Sequence, residues 1–156
     1  MDCSERPLAD AVLANLRGCA DQARAMLGQV ATTPAAVVAA VDAVVAEAQR
    51  GTSVVDPADV PYLFGSLWGD QVVAAFGWAW AEVVFRRHEG TVALAVVSPD
   101  RSMAIFPVHF IAGCLADPDA DVTIALSFGQ LDADAVGGFT PGGYANVMDH
   151  VYRVAP

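Results

Sequence analysis

The chain has 156 residues, 55% of them hydrophobic, with eight basic against eighteen acidic side chains for a formal net charge of −10. One core at this length can bury roughly 70% of the unfolded surface, so dominant disorder is excluded and neither disulfides nor a structural metal is required. All eight basic residues are Arg and fourteen of the acids are Asp, a field that repels phosphate backbones and anionic bilayers, which argues against nucleic-acid and membrane partners.

The longest apolar run, Val72 to Ala81, covers ten residues, half the ~20 that a spanning helix needs. The first residues, Met1-Asp2-Cys3-Ser4-Glu5, offer neither a basic nor an apolar leader segment, so a cleaved signal is not expected. Cys3, Cys19 and Cys114 are odd in number and far apart, which suits a reducing cytoplasm.

In chain order, Leu8, Val12, Leu16, Cys19, Ala23 and Met26 recur at steps of three and four, predicting a helix that ends at Gly28. Thr33-Pro34 supplies an N-cap and first turn for a second helix with its stripe at Val37, Val41, Val44, Val45 and Ala48, closed by Gly51. A third starts near Asp59, with Phe64, Trp68, Val72 and Phe76 on one face and Gly77 at its end. Gly65 and Gly69, four apart in this helix, suit close helix packing.

Beyond Gly77 the period falls to two. Strands are expected over Trp78–Arg86, Thr91–Ser98 and Ser102–Val108, joined by short turns as an antiparallel meander. His109–Ala116 reads as a short helix. The alternation of Val122, Ile124, Leu126 and Phe128 predicts a fourth strand, and Tyr144–Arg153 a closing helix. The expectation is a single α+β domain over 1–156: a helical part, 8–76, packed on a mostly antiparallel sheet, 78–156, with C-terminal helices.

In the first predicted strand Ala79, Ala81, Val83 and Phe85 share a purely apolar face, which reads as the core face. Trp78, Trp80, Glu82, Val84 and Arg86 share the other. Two indoles among small side chains suggest an aromatic groove unless the closing helix covers them. Trp68, Trp78, Trp80 and Glu82 are therefore binding candidates, with Asp70 and Gln71 as further polar groups of such a pocket. In Ser98-Pro99-Asp100-Arg101-Ser102, Ser98 and Pro99 have turn-forming work. Asp100 and Arg101, at the tip, are expected to be free of folding duties and to join the binding candidates.

Catalytic and metal motifs find little support. Asp117, Asp119 and Asp121 carry the spacing that opens a calcium loop, but Val122 and Phe128 replace the required Gly and Glu. His88, His109 and His150 are scattered, and His109 and Cys114 diverge around a helix. Gly65-Ser66-Leu67-Trp68-Gly69 is not a nucleophile elbow, and the glycine pairs at 137–138 and 142–143 lack the Lys of a phosphate loop. No catalytic residue, metal ligand or cofactor is expected.

Four strings occur together: Leu67-Trp68-Gly69-Asp70-Gln71, Gly77-Trp78-Ala79-Trp80, Ser98-Pro99-Asp100-Arg101-Ser102 with Ile105-Phe106-Pro107, and Gly143-Tyr144-Ala145-Asn146-Val147-Met148-Asp149. By these the chain resembles small bacterial domains of unknown function with a G-W-x-W string and an S-P-D-R-S turn. The resemblance runs from about Pro61 to Pro156 and brings no chemistry with it. The leading functional expectation is a non-enzymatic acidic protein-binding module, an immunity or regulatory partner of a bacterial toxin or effector, steered to a basic protein by its charge. The alternatives are a small-ligand binder or enzyme with a Trp-lined pocket, and a structural homo-oligomer subunit with the Trp residues at its interface.

Overall fold

A computed structural model describes residues 2–28 and 32–151. The chain forms β1 (Cys3–Arg6), α1 (Asp10–Leu27), α2 (Pro34–Gln49), α3 (Val60–Phe76), β2 (Ala79–Phe85), β3 (Thr91–Val97), β4 (Met103–Ile105), α4 (Pro107–Ala116), α5 (Ile124–Asp132) and β5 (Ala145–Asn146). Short 3-10 turns follow β2 (Arg86–His88) and β5 (Val147–His150). The strands make one sheet in the order β1-β2-β3-β4-β5, antiparallel except for the parallel β4–β5 pair. The α+β class and the β2–β3–β4 meander are as the sequence predicts. None of the described helices is long and apolar enough to cross a membrane.

The helix punctuation works as read. Thr33 Oγ1 accepts from the Ala36 N–H at 3.2 Å, with Pro34 at the start of α2. Gly77, at φ 69°, ends α3 in the left-handed region. The helix α3 is buried over most of its surface, including Phe64, Leu67, Trp68 and Val72, because α1, α2 and α4 all pack on it. Close approach sets its composition. A Cβ on Gly65 would lie 3.0 Å from the Val108 nitrogen of α4, and one on Gly69 would lie 2.1 Å from Cζ2 of Trp80.

Two predicted elements are corrected. Residues 124–132 form a helix, α5, where a strand was expected. Ile124, Ser127 and Phe128 are buried at helical spacing, and Asp42 of α2 accepts from the Ala125 N–H at 2.9 Å, satisfying a first-turn donor. A short apolar run fits either period, and this partner lies 83 residues away in the sequence. The closing helix is replaced by β5 and a 3-10 turn. The Tyr144 and Ala145 N–H groups donate to the Arg101 and Ser102 carbonyls at 2.9 Å each, Tyr144 takes φ 48°, and Asn146 caps the turn through the Met148 N–H. The chain is thus committed to pairing beside β4. The end of the predicted helix, Tyr152 and Arg153, lies outside the described residues.

The assignment of sheet faces is also reversed. Trp80, Val96 and Ile105 point toward the helices and join the main core with Trp78, Phe64, Trp68 and Val72. The Ala-rich face carries a smaller cluster of Ala81, Val83, Ala95, Val97, Ala104 and Phe106, against which Cys3, Phe85 and Tyr144 pack. The large indoles need helix-sized cover, whereas the small side chains are covered by single residues. The strand β1, which no periodicity announced, contributes Cys3 and Glu5 to this second face through its register with Phe85 and Val83.

Candidate functional site

The proposed aromatic groove does not form. Trp68 is fully buried and meets the Phe110 ring edge-on, with 5.8 Å between centroids. Trp78 is buried. Trp80 lies on Gly69 and donates its indole N–H to Asp70 Oδ1 at 2.9 Å. Trp80 is covered by α3, the helix that carries Trp68, in place of the expected C-terminal helix. Burial pushes the Asp70 carboxyl above the usual carboxylate range, with the Trp80 hydrogen bond opposing. Gln71 is buried and donates weakly to the Leu67 carbonyl. Glu82 pairs with Arg6 of β1 and borders a shallow depression of about 440 Å³ beside Val12, Tyr62 and Leu94.

Asp100 and Arg101 are not free at a turn tip. Asp100 Oδ1 accepts from Ser98 Oγ at 3.0 Å, from the Ser102 N–H at 3.0 Å and from Ser102 Oγ at 2.7 Å. The Ser102 N–H is the leading reason its carboxyl is held below the usual range. Arg101 sits at φ 57° and grips Glu5 with two bonds of 2.9 Å, from Nε to Oε2 and from Nη2 to Oε1. Tyr144 donates its hydroxyl to Glu5 Oε2 at 3.0 Å. The Arg101 hydrogen bonds hold Glu5 below the ordinary glutamate range, while burial pushes Tyr144 up. Both tip residues therefore tie the β3–β4 turn together or fasten it to β1. Their chemistry is that of folding.

The concave site lies elsewhere, at the end of the β2–β3 hairpin. A cleft of about 680 Å³ opens between that hairpin, the first turn of α4 and the segment after β5. Its apolar floor is Phe85, Ala93, Phe106, Phe110 and Met148, with Val92 at the margin. Phe85 and Phe106 belong to the Ala-rich side of the sheet, while Phe110 and Met148 pack on the helical core, so the cleft lies where the two clusters meet. The Phe85 and Phe106 rings sit 5.7 Å apart, and the His88 ring stands edge-on to Phe85 at 6.5 Å.

Polar groups ring this floor. The 3-10 turn after β2 presents Arg87 and His88, and the first turn of α4 presents His109. Thr91, Asn146, Asp2 and Asp149 complete the rim. The turn is held by Arg86, whose N–H donates to the Asp2 carbonyl at 3.1 Å and whose guanidinium approaches the Asp2 carboxylate at 3.9 Å. Thr91 Oγ1 donates to the His88 carbonyl at 2.6 Å. A volume of this size, an aromatic floor and few convergent polar groups match the usual make-up of a small-molecule site.

Nothing in the sequence connects these residues. His88 and His109 look isolated because 21 positions separate them, and the aromatic residues read as core positions. The geometry that joins them is the return of β4 into α4, which sets His109 and Phe110 beside the hairpin end.

Among the described residues no cluster of His, Cys, Asp and Glu has the arrangement of a metal site. Asp117 spends one oxygen on the Asp119 N–H at 3.0 Å. Cys114 is buried, and burial pushes its thiol up to about 11, the direction opposite to that of an activated nucleophile. No protein family, curated protein or solved structure matches this chain.

Proposed function

We propose that this chain is a non-enzymatic binding module whose site is the cleft between the β2–β3 hairpin end, α4 and the segment after β5, and that its ligand is a small molecule with an apolar body. The single observation that carries the reading is the cleft's composition: about 680 Å³ of space over four aromatic and thioether side chains, Phe85, Phe106, Phe110 and Met148, with polar groups only at the rim. The small-ligand expectation thus moves from the three Trp residues to this aromatic floor.

A thermal-shift screen of metabolites tests it. A ligand at 100 times its dissociation constant adds about 2.7 kcal/mol to stability. Thr91→Trp, at an exposed strand position on the rim, should fill the cleft and abolish the shift, with a melting temperature of the unliganded chain lowered only by the loss of the Thr91–His88 hydrogen bond. A shift that survives this substitution places the ligand elsewhere and overturns the reading. So does silence across a broad library.

The second reading is a basic protein partner, in the biological form of an immunity or regulatory role toward a bacterial toxin or effector. What supports it is the net charge of −10, which would steer a cationic surface and make association fall steeply with salt. Binding to a purified basic partner that is insensitive to salt would count against it. An oligomer built on the Trp residues loses its motive, because Trp68 and Trp78 are inside the monomer.

A further inference from the structure

Basic groups are scarce in this chain, and most of the described arginines already face acids. Arg6 pairs with Glu82, Arg86 with Asp2 and Arg101 with Glu5, while Arg17 and Arg24 act electrostatically on Asp70. Arg17, Arg24, Arg50 and Arg87 form no ion pair among the described residues, and of these four Arg87 is the one that lines the cleft, where it stands exposed. Beside it on the same rim are two of the three histidines, His88 and His109. The acids that face this group are Asp2 and Asp149 on the rim, and Glu89 next to His88 along the chain. Asp2 is already approached by Arg86.

The distribution runs against the field of the molecule. On a chain with ten surplus negative charges, Arg87 still forms no ion pair with the acids that line the cleft beside it. Its guanidinium offers five N–H donors and no acceptor, and each neutral imidazole offers one more donor. An apolar floor with donors converging at one rim complements an amphiphile that is apolar at one end and anionic at the other.

We infer that the cleft selects ligands carrying an anionic group of the carboxylate type on an aromatic or branched apolar body, with Arg87 as the main recognition residue and His88 and His109 as supporting donors. This rests on the reading of the cleft as a small-molecule site. The apolar body occupies the space over Phe85, Phe106 and Phe110, and the carboxylate faces the rim. The planar guanidinium can take a carboxylate through two parallel bonds, which adds direction as well as strength.

The test uses three matched probes, phenylbutyrate, its amide and phenylbutylamine, which share the apolar body and differ in charge. Each is titrated calorimetrically into the full chain at low salt. The acid should bind about tenfold or more tightly than the amide, the amine most weakly, since hydrogen bonds to charged groups are roughly twice as strong as neutral ones. Arg87→Gln should remove most of the preference for the acid while lowering amide binding by a much smaller factor, and Arg87→Lys should keep part of the preference. The combined His88→Gln and His109→Gln variant should lower acid binding by a smaller factor. All three positions are exposed, so these variants are expected to fold.

Equal affinity for acid and amide in the unaltered chain overturns the inference and leaves the cleft as a charge-blind binding site. Preference for the amine overturns it in favour of Asp2 and Asp149. An acid preference that persists when Arg87→Gln, His88→Gln and His109→Gln are combined in one chain shows that the charge is read elsewhere and overturns it too. If none of the three probes binds, both the inference and the small-molecule reading of the cleft fall.

Discussion

The two faces of the sheet solve the same burial problem with different materials. Toward the helices, Trp80, Val96 and Ile105 meet α3, whose Gly69 leaves room for an indole ring. On the opposite face the side chains are small, Ala81, Ala95 and Ala104 among Val83 and Val97, and their cover includes Tyr144 together with the Glu5–Arg101 pair. The first face draws its stability from volume and shape, where a methyl group is felt. The second draws part of its order from charge-assisted hydrogen bonds that tie three segments distant in sequence, β1, the β3–β4 turn and the residue before β5.

The contrast is sharpest if each face is broken in its own currency. Trp68→Ala empties the centre of the helical side and should cost about 3–5 kcal/mol, read from the urea midpoint at unchanged slope. Gly69→Ala adds a single carbon against the Trp80 ring and should cost about 1–3 kcal/mol by overpacking. Pairing it with Trp80→Leu should recover part of the loss, because the clash then has no ring to meet.

On the other face the losses should be smaller and dependent on pH. Glu5→Gln keeps the shape and removes the charge, and should cost up to about 1 kcal/mol near neutral pH, discounted because the pair is partly exposed. The Glu5 carboxyl is held below its ordinary value of 4.5 by Arg101. Its contribution is therefore complete above that value and lost as the pH falls through the lower folded-state value. Melting curves from pH 6 down to pH 3 should converge for the two proteins. Parallel curves would show that the pair contributes nothing.

Pro99→Ala should cost about 0.4–1 kcal/mol by loosening the unfolded chain, with the turn bond from the Arg101 N–H to the Ser98 carbonyl retained. The smallest effect is expected at Asp70, and its sign is opposite to that of Glu5. Burial raises the Asp70 carboxyl above 3.8, so it costs stability as the pH rises from the unfolded value through the folded one. Asp70→Asn keeps an acceptor for the Trp80 indole and should leave stability at neutral pH equal or slightly higher, with a flatter dependence in the mildly acidic range. A marked loss would show that the ionised form is needed there.

Local chemistry alone located the first three helices, the Thr33 cap of the second, the glycine breaks, and the meander from Ala79 to Ile105, because turn residues and apolar spacing act within a few positions. The same local signals marked Gly65 as a site of close helix packing, whereas Gly69 meets the Trp80 ring of β2 instead of a helix. They failed where a distant partner made the choice. Asp42 turns Ile124–Asp132 into a helix, and the Arg101 and Ser102 carbonyls draw Ala145–Asn146 into the sheet. Arg101 looked free because Glu5 reaches it only when β1 arrives beside β2, whereas the Ser98 and Ser102 partners of Asp100 lie within the turn itself.

The site follows the same rule. Sequence determined a chain rich in Ala and Val, strongly acidic, with aromatic residues spaced for burial and without a catalytic motif. It could not say which sheet face the helices would cover, since an apolar face and a Trp-bearing face both bury area. Tertiary structure decided that α3 takes the Trp face, and so left the ends of two separate clusters to meet at Phe85, Phe106 and Phe110. A cleft is a property of how elements fail to fill space, and periodicity along one strand or helix carries no information about that.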